Sequence, residues 1–511
     1  PEGGAVGGVV QPPFRVARKL PEILSLARYL ASSRPEFTLS EMNQYLSRKY
    51  SEKELYDALK PHFYDLDLFC DARHNCTKLA NLPLPADEQV IRELEDTLKA
   101  PQLPTSIEKL VSSYIERSCG KNWHTGETAH LLRENIVKQK EEYWRGSSKY
   151  PKLRVITYLL YHFPVYFCQF QYVLLDLLKS GLLTTKMSVV DAGAGPGTIT
   201  LSTIEFFHRL LEIYSKNKID VKINLRIDSV EKVQDNIDCY NDLTSHYLSQ
   251  HPQANAVITV NKPDRAPIEK AAPAPNADLI VFSNVLAEMK AAPFERADIV
   301  ETSASGSSNP TIIIIEPADL VNSKALRVTQ NALVKKGFTI YSPCTLIWGA
   351  GCRGEDCWSF RGAGDITVPE FMRKIAGKEE VYRYLNTDMK FSYVILRKDG
   401  NAQHKYLGRG KFARLSALKK HVTKRINVAI SVMSGNLGDE KNFVFKICDG
   451  TTSVPCYAVI PAYHLNEKNN GLLHAGYGGI VEIFGVLVRE NKEFSSYNLL
   501  INRSTIVEPV R

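Results

Sequence analysis

The sequence predicts an α/β chain: a helical N-terminal region, a doubly wound and mostly parallel sheet, and a small β-barrel after it. Three observations predict this. A glycine-rich turn, Asp191-Ala-Gly-Ala-Gly-Pro-Gly-Thr198, stands between an apolar strand and a helix. Strand and helix patterns alternate from Ser188 to Glu316, the rhythm that builds a parallel sheet covered by helices. Short apolar runs separated by polar turns then fill the chain beyond Asn427, as the strands of a small barrel do.

The 511 residues, 44% hydrophobic and 23% charged, suffice for roughly two to four domains with substantial cores. Lys and Arg number 64 against 56 acidic residues, a formal charge of +8 that permits contact with nucleic acid without requiring it. Ten cysteines are too few for a disulfide-stapled secreted scaffold, and no apolar leader segment is visible, which points to a reducing, intracellular compartment. Residues 1–19, opening with Gly, Val and Pro, read as a disordered tail.

Residues 20–150 read as a helical N-terminal domain, because apolar residues recur three and four apart in Pro21–Leu30, Ser40–Leu46 and Ser106–Ile115. Within it, Leu39–Phe69 resembles a small winged-helix unit, with N-caps at Ser40 and Ser51. Val155–Leu175 carries no formal charge, yet His162, Pro164, Gln169 and Gln171 interrupt it, so buried helices are expected rather than a membrane span. Residues 151–343 read as the doubly wound domain: strands at Ser188–Asp191, Ile223–Val230, Ala277–Phe282 and Thr311–Glu316, helices from Thr198 and near Val233. Residues 344–400 hold a cysteine-rich insertion and the last strands of the sheet. Residues 401–511 read as a basic, OB-like β domain with five strands, from Asn427–Val432 to Tyr497–Ile501.

The glycine-rich turn carries the clearest chemistry. Gly193, Gly195 and Gly197 leave the backbone N–H groups open to a ligand, because no side chain blocks the approach. Asp191 closes the first strand, and Glu231 ends the next, where a carboxylate can accept hydrogen bonds from two ribose hydroxyls. The form of the loop departs from the Gly-x-Gly-x-x-Gly spacing of dinucleotide folds. It resembles the first motif of class I S-adenosylmethionine methyltransferases, which implies a Rossmann-like domain with S-adenosylmethionine at Asp191, Gly193, Gly195, Gly197 and Glu231. Asn284, in Phe282-Ser-Asn-Val-Leu-Ala-Glu288, is a candidate for orienting the methyl acceptor, with a helix N-cap at Ser283 or Asn284 as its plain alternative. The Asp/Asn-Pro-Pro-Tyr/Phe motif of many base amino-methyltransferases is absent, so no catalytic residue is named; transfer by proximity and alignment does not need one.

Cys344, Cys352 and Cys357 crowd a Gly-rich loop, a density of thiols that suits a soft metal. No Cys-x2-Cys pair occurs, as a zinc site would favour, and an iron–sulfur cluster with three local ligands and one remote fits as well; zinc stays open as the alternative. The remaining cysteines read singly: Cys168 and Cys239 as core, Cys70, Cys76 and Cys119 in helical patterns or buried runs, and Cys448 and Cys456 flanking a turn. From Asn401 to Ile430 there are eight basic and no acidic residues: Lys405, Arg409, Lys411, Arg414, Lys419, Lys420, Lys424 and Arg425. Such a run is either a solvated face or a phosphate-binding one, and a neighbouring small barrel favours phosphate.

In order, Tyr158-Leu-Leu-Tyr-His-Phe-Pro-Val-Tyr166, Gln171–Leu175, Asp191–Thr198, the cysteine loop ending Cys357-Trp-Ser-Phe, and Phe391–Arg397 resemble the methyltransferase-like proteins of the mitochondrial small ribosomal subunit and their bacterial and archaeal relatives. The likeness covers Tyr150 to Lys398. It implies a [4Fe–4S] cluster beside the methyltransferase fold, with Cys344, Cys352 and Cys357 matching three ligand positions and Cys448 the fourth; Cys456 is the fallback. Here Cys344 precedes Thr-Leu where the family has Pro-His, and Cys352 precedes Arg where it has Pro. The resemblance further implies a monomer acting on the small ribosomal subunit and its rRNA, by methylation, by assisting assembly, or both. Its compartment would be the cytoplasm of an archaeon or the mitochondrial matrix of a eukaryote. Two alternatives remain: a catalytically inactive assembly factor, and a methyltransferase with structural zinc and a non-ribosomal substrate. A radical S-adenosylmethionine enzyme is disfavoured, since Cys-x3-Cys-x2-Cys is absent.

Overall fold

The computed structural model describes residues 19–142, 151–349, 354, 357–378, 381–408 and 410–510. The tail expected over residues 1–19 lies outside them but for its last residue, as do Cys352 and Arg409. The chain divides into two compact units, Pro1–Ala272 with Asn276–Leu279 and Asp365–Thr387, and Pro273–Pro275 with Ile280–Gly364 and Asp388–Arg511.

The first unit opens on a helix, Leu20–Ser33, followed by β1 (Glu36–Thr38), helices Leu39–Tyr45 and Glu52–Leu59, β2 (Leu68–Cys70) and β3 (Asn75–Lys78). The three strands pair antiparallel in the order β1-β3-β2. Helix, strand, two helices and a two-stranded wing form a winged-helix unit, so a region read as helical contains a sheet. Its core is Ile23, Leu30, Leu39, Met42, Leu55, Leu59, Phe63 and Phe69, closed by Val257. Both short helices start with reciprocal caps. Ser51 acts as expected, accepting from Glu54 N–H at 3.2 Å while its own N–H donates to Glu54 at 2.7 Å. The other cap is Thr38 rather than Ser40: the helix starts at Leu39, and Thr38 Oγ1 accepts from Glu41 N–H at 3.0 Å. Cys70 and Cys76, expected to stand singly, are cross-strand partners in the β2–β3 hairpin and are joined as a disulfide. Hairpin pairing brings together two residues that sequence separation left unconnected.

Pro151–Tyr161 and Phe163–Lys179 are helices that break at His162, with Pro164 in the first turn of the second, where its missing N–H costs nothing. Among the described residues no helix is long and apolar enough to cross a membrane. Next come β4 (Lys186–Ala192), β5 (Ile223–Val230) and β6 (Ala256–Val260), parallel, with helices Thr198–Lys216 and Gln234–Gln250 between them. β6, absent from the sequence-based expectation, is only five residues long.

The second unit contains β7 (Leu279–Ser283) but for its first residue, then β8 (Thr311–Pro317), β9 (Thr339–Ser342), β10 (Arg361–Asp365) but for its last residue, and β11 (Asp388–Arg397). Here β11 lies antiparallel to β8, with Tyr393 opposite Ile315, and β9 pairs with β11. Ile312–Ile315 are all buried, as a strand covered on both faces requires. Strands alternating with helices across the chain make the Rossmann-like α/β fold that the sequence predicts.

The barrel consists of β12 (Arg425–Val432), β13 (Asn442–Cys448), β14 (Cys456–Pro461), β15 (Ile480–Asn491) and β16 (Ser496–Leu500). Its order is β12-β13-β14-β16-β15, and β12 pairs with β15 to close the ring; β14 and β16 are parallel. β17 (Ile506–Pro509) adds to β15 outside the ring. Val428, Ile430, Phe445, Ala458, Ile483, Val486 and Leu499 fill the interior. This is the small OB-like barrel expected.

Candidate functional site

β4 and β5 run parallel with Asp191 beside Ser229, so the turn after β4 meets the end of β5. Gly193 and Ala194 N–H both donate to Val230 O, at 2.9 and 3.0 Å, which folds the turn back over β5. Gly193, Gly195 and Gly197 all have positive φ, with Gly197 at +94°. A Cβ on Gly197 would stand 3.0 Å from Tyr240 Cδ2, so both backbone conformation and space require glycine there.

Beneath the turn lies a buried polar chain. Thr200 Oγ1 donates to Asp191 at 2.9 Å and lies 3.2 Å from the Tyr240 hydroxyl, which in turn lies 2.8 Å from Ser229 Oγ. Burial pushes the Asp191 carboxyl up to about 7; the Thr200 hydrogen bonds oppose the rise and the Glu231 charge adds to it. Asp191 thus fixes the first turn of the helix from inside, while Glu231 faces the loop. One Glu231 oxygen accepts from Gly195 N–H at 2.9 Å and the other from Val233 N–H at 2.8 Å. Each oxygen has two lone-pair directions, so the carboxylate can hold the loop and still accept a hydroxyl. The structure brings together Asp191, Gly193, Gly195, Gly197 and Glu231. It adds Thr200, Ser229 and Tyr240, which sequence reasoning missed because a tyrosine inside a helical pattern carries no sign of which loop it lies under.

Asn284 lies in the second unit, just past β7, with φ +53° and its N–H donating to Ile315 O at 2.8 Å. Neither it nor Ser283 is a helix cap, because the next helix, Pro293–Ala304, starts nine residues later. Holding a non-glycine residue in the left-handed region is the kind of local strain that clusters at functional positions. Glu316, near the end of β8, was also missed: it is 2% exposed, accepts from Ala287 N–H at 3.1 Å, and burial pushes its carboxyl up to about 8 despite that bond and the Arg296 charge.

Cys344, Cys357 and Cys448 are half-buried in the second unit. Arg327 Nη1 lies 3.7 Å from Cys344 Sγ, and Gly450 N–H donates to Cys448 Sγ at 3.3 Å. Cys456 faces the barrel interior, where burial pushes its thiol up to about 12. Among the described residues no three His, Cys, Asp or Glu side chains are gathered as metal ligands; Cys352 falls outside that set. Cys168 and Cys239 are buried, as core residues are. The basic run is solvent-facing: Lys405, Lys411, Arg414, Lys419, Lys420, Lys424 and Arg425 are all exposed, while Leu415 and Leu418 turn inward. Arg414 lies over the Trp348 ring at 5.4 Å, and Arg425 donates to Gly485 O at 2.7 Å.

Comparison with known proteins gives one extended match. Residues 152–440 fit the profile of the family described as mitochondrial small ribosomal subunit Rsm22. Residues 21–74 and 416–510 fit the N-terminal and C-terminal domains of a domain of unknown function, DUF8157. No curated protein matches. Among solved structures, the N-methyltransferase NodS from Bradyrhizobium japonicum WM9, in complex with S-adenosyl-l-homocysteine, is similar at 11% identity, over 52% of this chain and 99% of that one, with a TM-score of 0.26. A SAM dependent methyltransferase from Aquifex aeolicus is similar at 11% identity over 30% of this chain and 73% of that one, with a TM-score of 0.20. The p204 HINb domain is similar at 12% identity over 20% of this chain, with a TM-score of 0.17, and the match spans 47% of that domain.

Proposed function

The chain belongs to the Rsm22 family of the mitochondrial small ribosomal subunit, and from that premise we propose that it binds S-adenosylmethionine at the Asp191–Thr198 loop and acts on the small ribosomal subunit and its rRNA. One observation carries the cofactor reading: a turn of three positive-φ glycines whose N–H at Gly195 is held by the Glu231 carboxylate at the end of the neighbouring strand. Glu231 accepts the ribose hydroxyls, Gly193 and Gly195 admit the cofactor to the backbone, and Asp191 keeps the loop in place through Thr200. When bound, S-adenosylmethionine supplies an electrophilic methyl group on a sulfonium. The protein's own part is to hold donor and acceptor in line.

The exposed basic residues from Lys405 to Arg425, beside an OB-like barrel, make the RNA contact salt-dependent, and the protein acts as a monomer in the mitochondrial matrix or, in an archaeal host, the cytoplasm. The iron–sulfur reading rests on the family likeness. The described thiols as placed are not gathered into a metal-holding group, so no step is routed through a cluster.

The test is calorimetric titration of the full chain with S-adenosylhomocysteine, followed by transfer of labelled methyl from S-adenosylmethionine to small-subunit RNA. Binding that weakens about tenfold or more in Glu231→Ala supports the cofactor site; a wild-type chain that binds nothing overturns it. Binding without transfer to RNA assigns the assembly-factor reading. Transfer to other acceptors, with no salt-dependent RNA affinity, assigns the non-ribosomal one.

A further inference from the structure

The barrel in the second unit buries the face that barrels of this strand order give to oligonucleotides, the outer side of the second and third strands, here β13 and β14. Phe445 and Ile447 of β13 point into the barrel core, so Lys446 between them points outward, yet it is only 9% exposed. The chain itself covers it. Lys446 Nζ donates to Trp358 O at 2.6 Å, Phe360 N–H donates to Met433 O at 3.3 Å, and a Cβ on Gly435 would stand 3.4 Å from Gly362 Cα. On the other side of the ring, where β12 closes on β15, the basic stretch from Lys405 to Arg425 lies along the strands as a strap. Ala413 N–H donates to Asn427 O at 2.8 Å, the Tyr406 hydroxyl donates to Glu482 at 2.8 Å, and the Phe412 ring lies 5.6 Å from that of Phe484. Leu415 and Leu418 turn into the barrel core. Lys405, Lys411, Lys419, Lys420 and Lys424 are exposed, and their ammonium groups have no ion-pair partner among the described residues.

We propose that the strap from Lys405 to Arg425, on the β12–β15 side of the barrel, binds the phosphate backbone of an RNA duplex, in place of the single strand that the covered β13–β14 face would take. The inference rests on the proposal that the chain acts on ribosomal RNA, and it names the form of RNA that the barrel grips. Barrels that hold single strands offer aromatic rings on which bases stack. In the strap, Tyr406 and Phe412 are engaged in fastening it down: the Tyr406 ring meets that of Trp348 edge-on at 5.6 Å, and Phe412 packs on β15. Arg414 lies over Trp348 at 5.4 Å, so the groups left outermost are ammonium and guanidinium. Such groups meet phosphates whatever the sequence. An RNA helix suits them, because it withdraws its base edges into a deep, narrow groove and presents the phosphates of two strands at its surface. With no carboxylate between Lys405 and Arg425, nothing in the strap repels that backbone.

The experiment measures fluorescence anisotropy of the full chain with a labelled RNA hairpin duplex and with an unstructured single strand of equal length, at several salt concentrations. Wild type prefers the duplex by about fivefold or more. The triple variant Lys419→Ala, Lys420→Ala, Lys424→Ala weakens duplex binding about tenfold or more and lowers the slope of log affinity against log salt by about three, close to one for each ammonium removed. The double variant Lys441→Ala, Lys492→Ala, in the turns that flank the covered face, stays within about twofold of wild type. All five side chains are exposed, so the fold tolerates their loss. A preference for the single strand, or duplex binding that the double variant weakens as much as the triple one, would overturn the strap and leave the RNA proposal standing. Wild type that binds neither RNA would overturn both.

Discussion

Replacing Gly197 with alanine separates two penalties that the neighbouring glycines do not share. At Gly195, φ is +54° and a Cβ would meet nothing within 4 Å, so Gly195→Ala costs only left-handed strain, about 1–2 kcal/mol. At Gly197, φ is +94° and the added carbon would stand 3.0 Å from the ring of fully buried Tyr240. That ring cannot retreat without disturbing its hydroxyl contacts to Ser229 and Thr200, so overpacking adds about 1–3 kcal/mol. Gly197→Ala should therefore cost about 2–5 kcal/mol and exceed Gly195→Ala by the overpacking alone. Urea unfolding followed by far-ultraviolet circular dichroism, with the two variants side by side, measures the difference. Equal midpoints would refute the placement of Tyr240 under the loop.

Other perturbations read separate parts of the structure. Asp191 is raised to about 7 from 3.8 because burial favours its protonated form, so its stabilisation is fully present below about pH 4 and is lost as pH rises through 7. About three units correspond to about 4 kcal/mol at most, and Asp191→Asn should flatten that component of urea midpoints taken between pH 4 and 8; parallel curves for variant and wild type would contradict the burial argument. Thr38→Ala should lower stability by about 1 kcal/mol, whereas Ser40→Ala should change it by less than about 0.5 kcal/mol, since only Thr38 caps the helix; thermal melts of both decide it. Iron and sulfide analysis after anaerobic purification tests the cluster reading: about four irons per chain, lost in Cys448→Ser but kept in Cys456→Ser, whose thiol faces the barrel core, would support it, and no iron in wild type would overturn it. About one zinc per chain instead would assign a structural zinc site.

Much of the architecture was legible because its signals are local. The glycine spacing between Asp191 and Thr198 needs only that backbone turn, and the strands from Asn427 onward announce themselves by alternation. Ser51 reads as a cap because Glu54 follows three residues later, but Thr38 and Ser40 both precede apolar residues, and only the observed backbone shows which one begins the helix. β6 and β17, five and four residues long, are absent from the sequence-based expectation.

The sequence by itself determined the α/β alternation, the loop that can admit a cofactor, the carboxylate at Glu231, and a basic stretch without acidic residues. Only the tertiary structure decided that β12 closes on β15, that Tyr240 underlies Gly197, and that Tyr158 reaches Thr198. The physical reason is range. Turn geometry and strand alternation are set by residues adjacent in the chain, whereas desolvation, ring packing and strand closure depend on segments tens of residues apart, whose meeting no local pattern encodes.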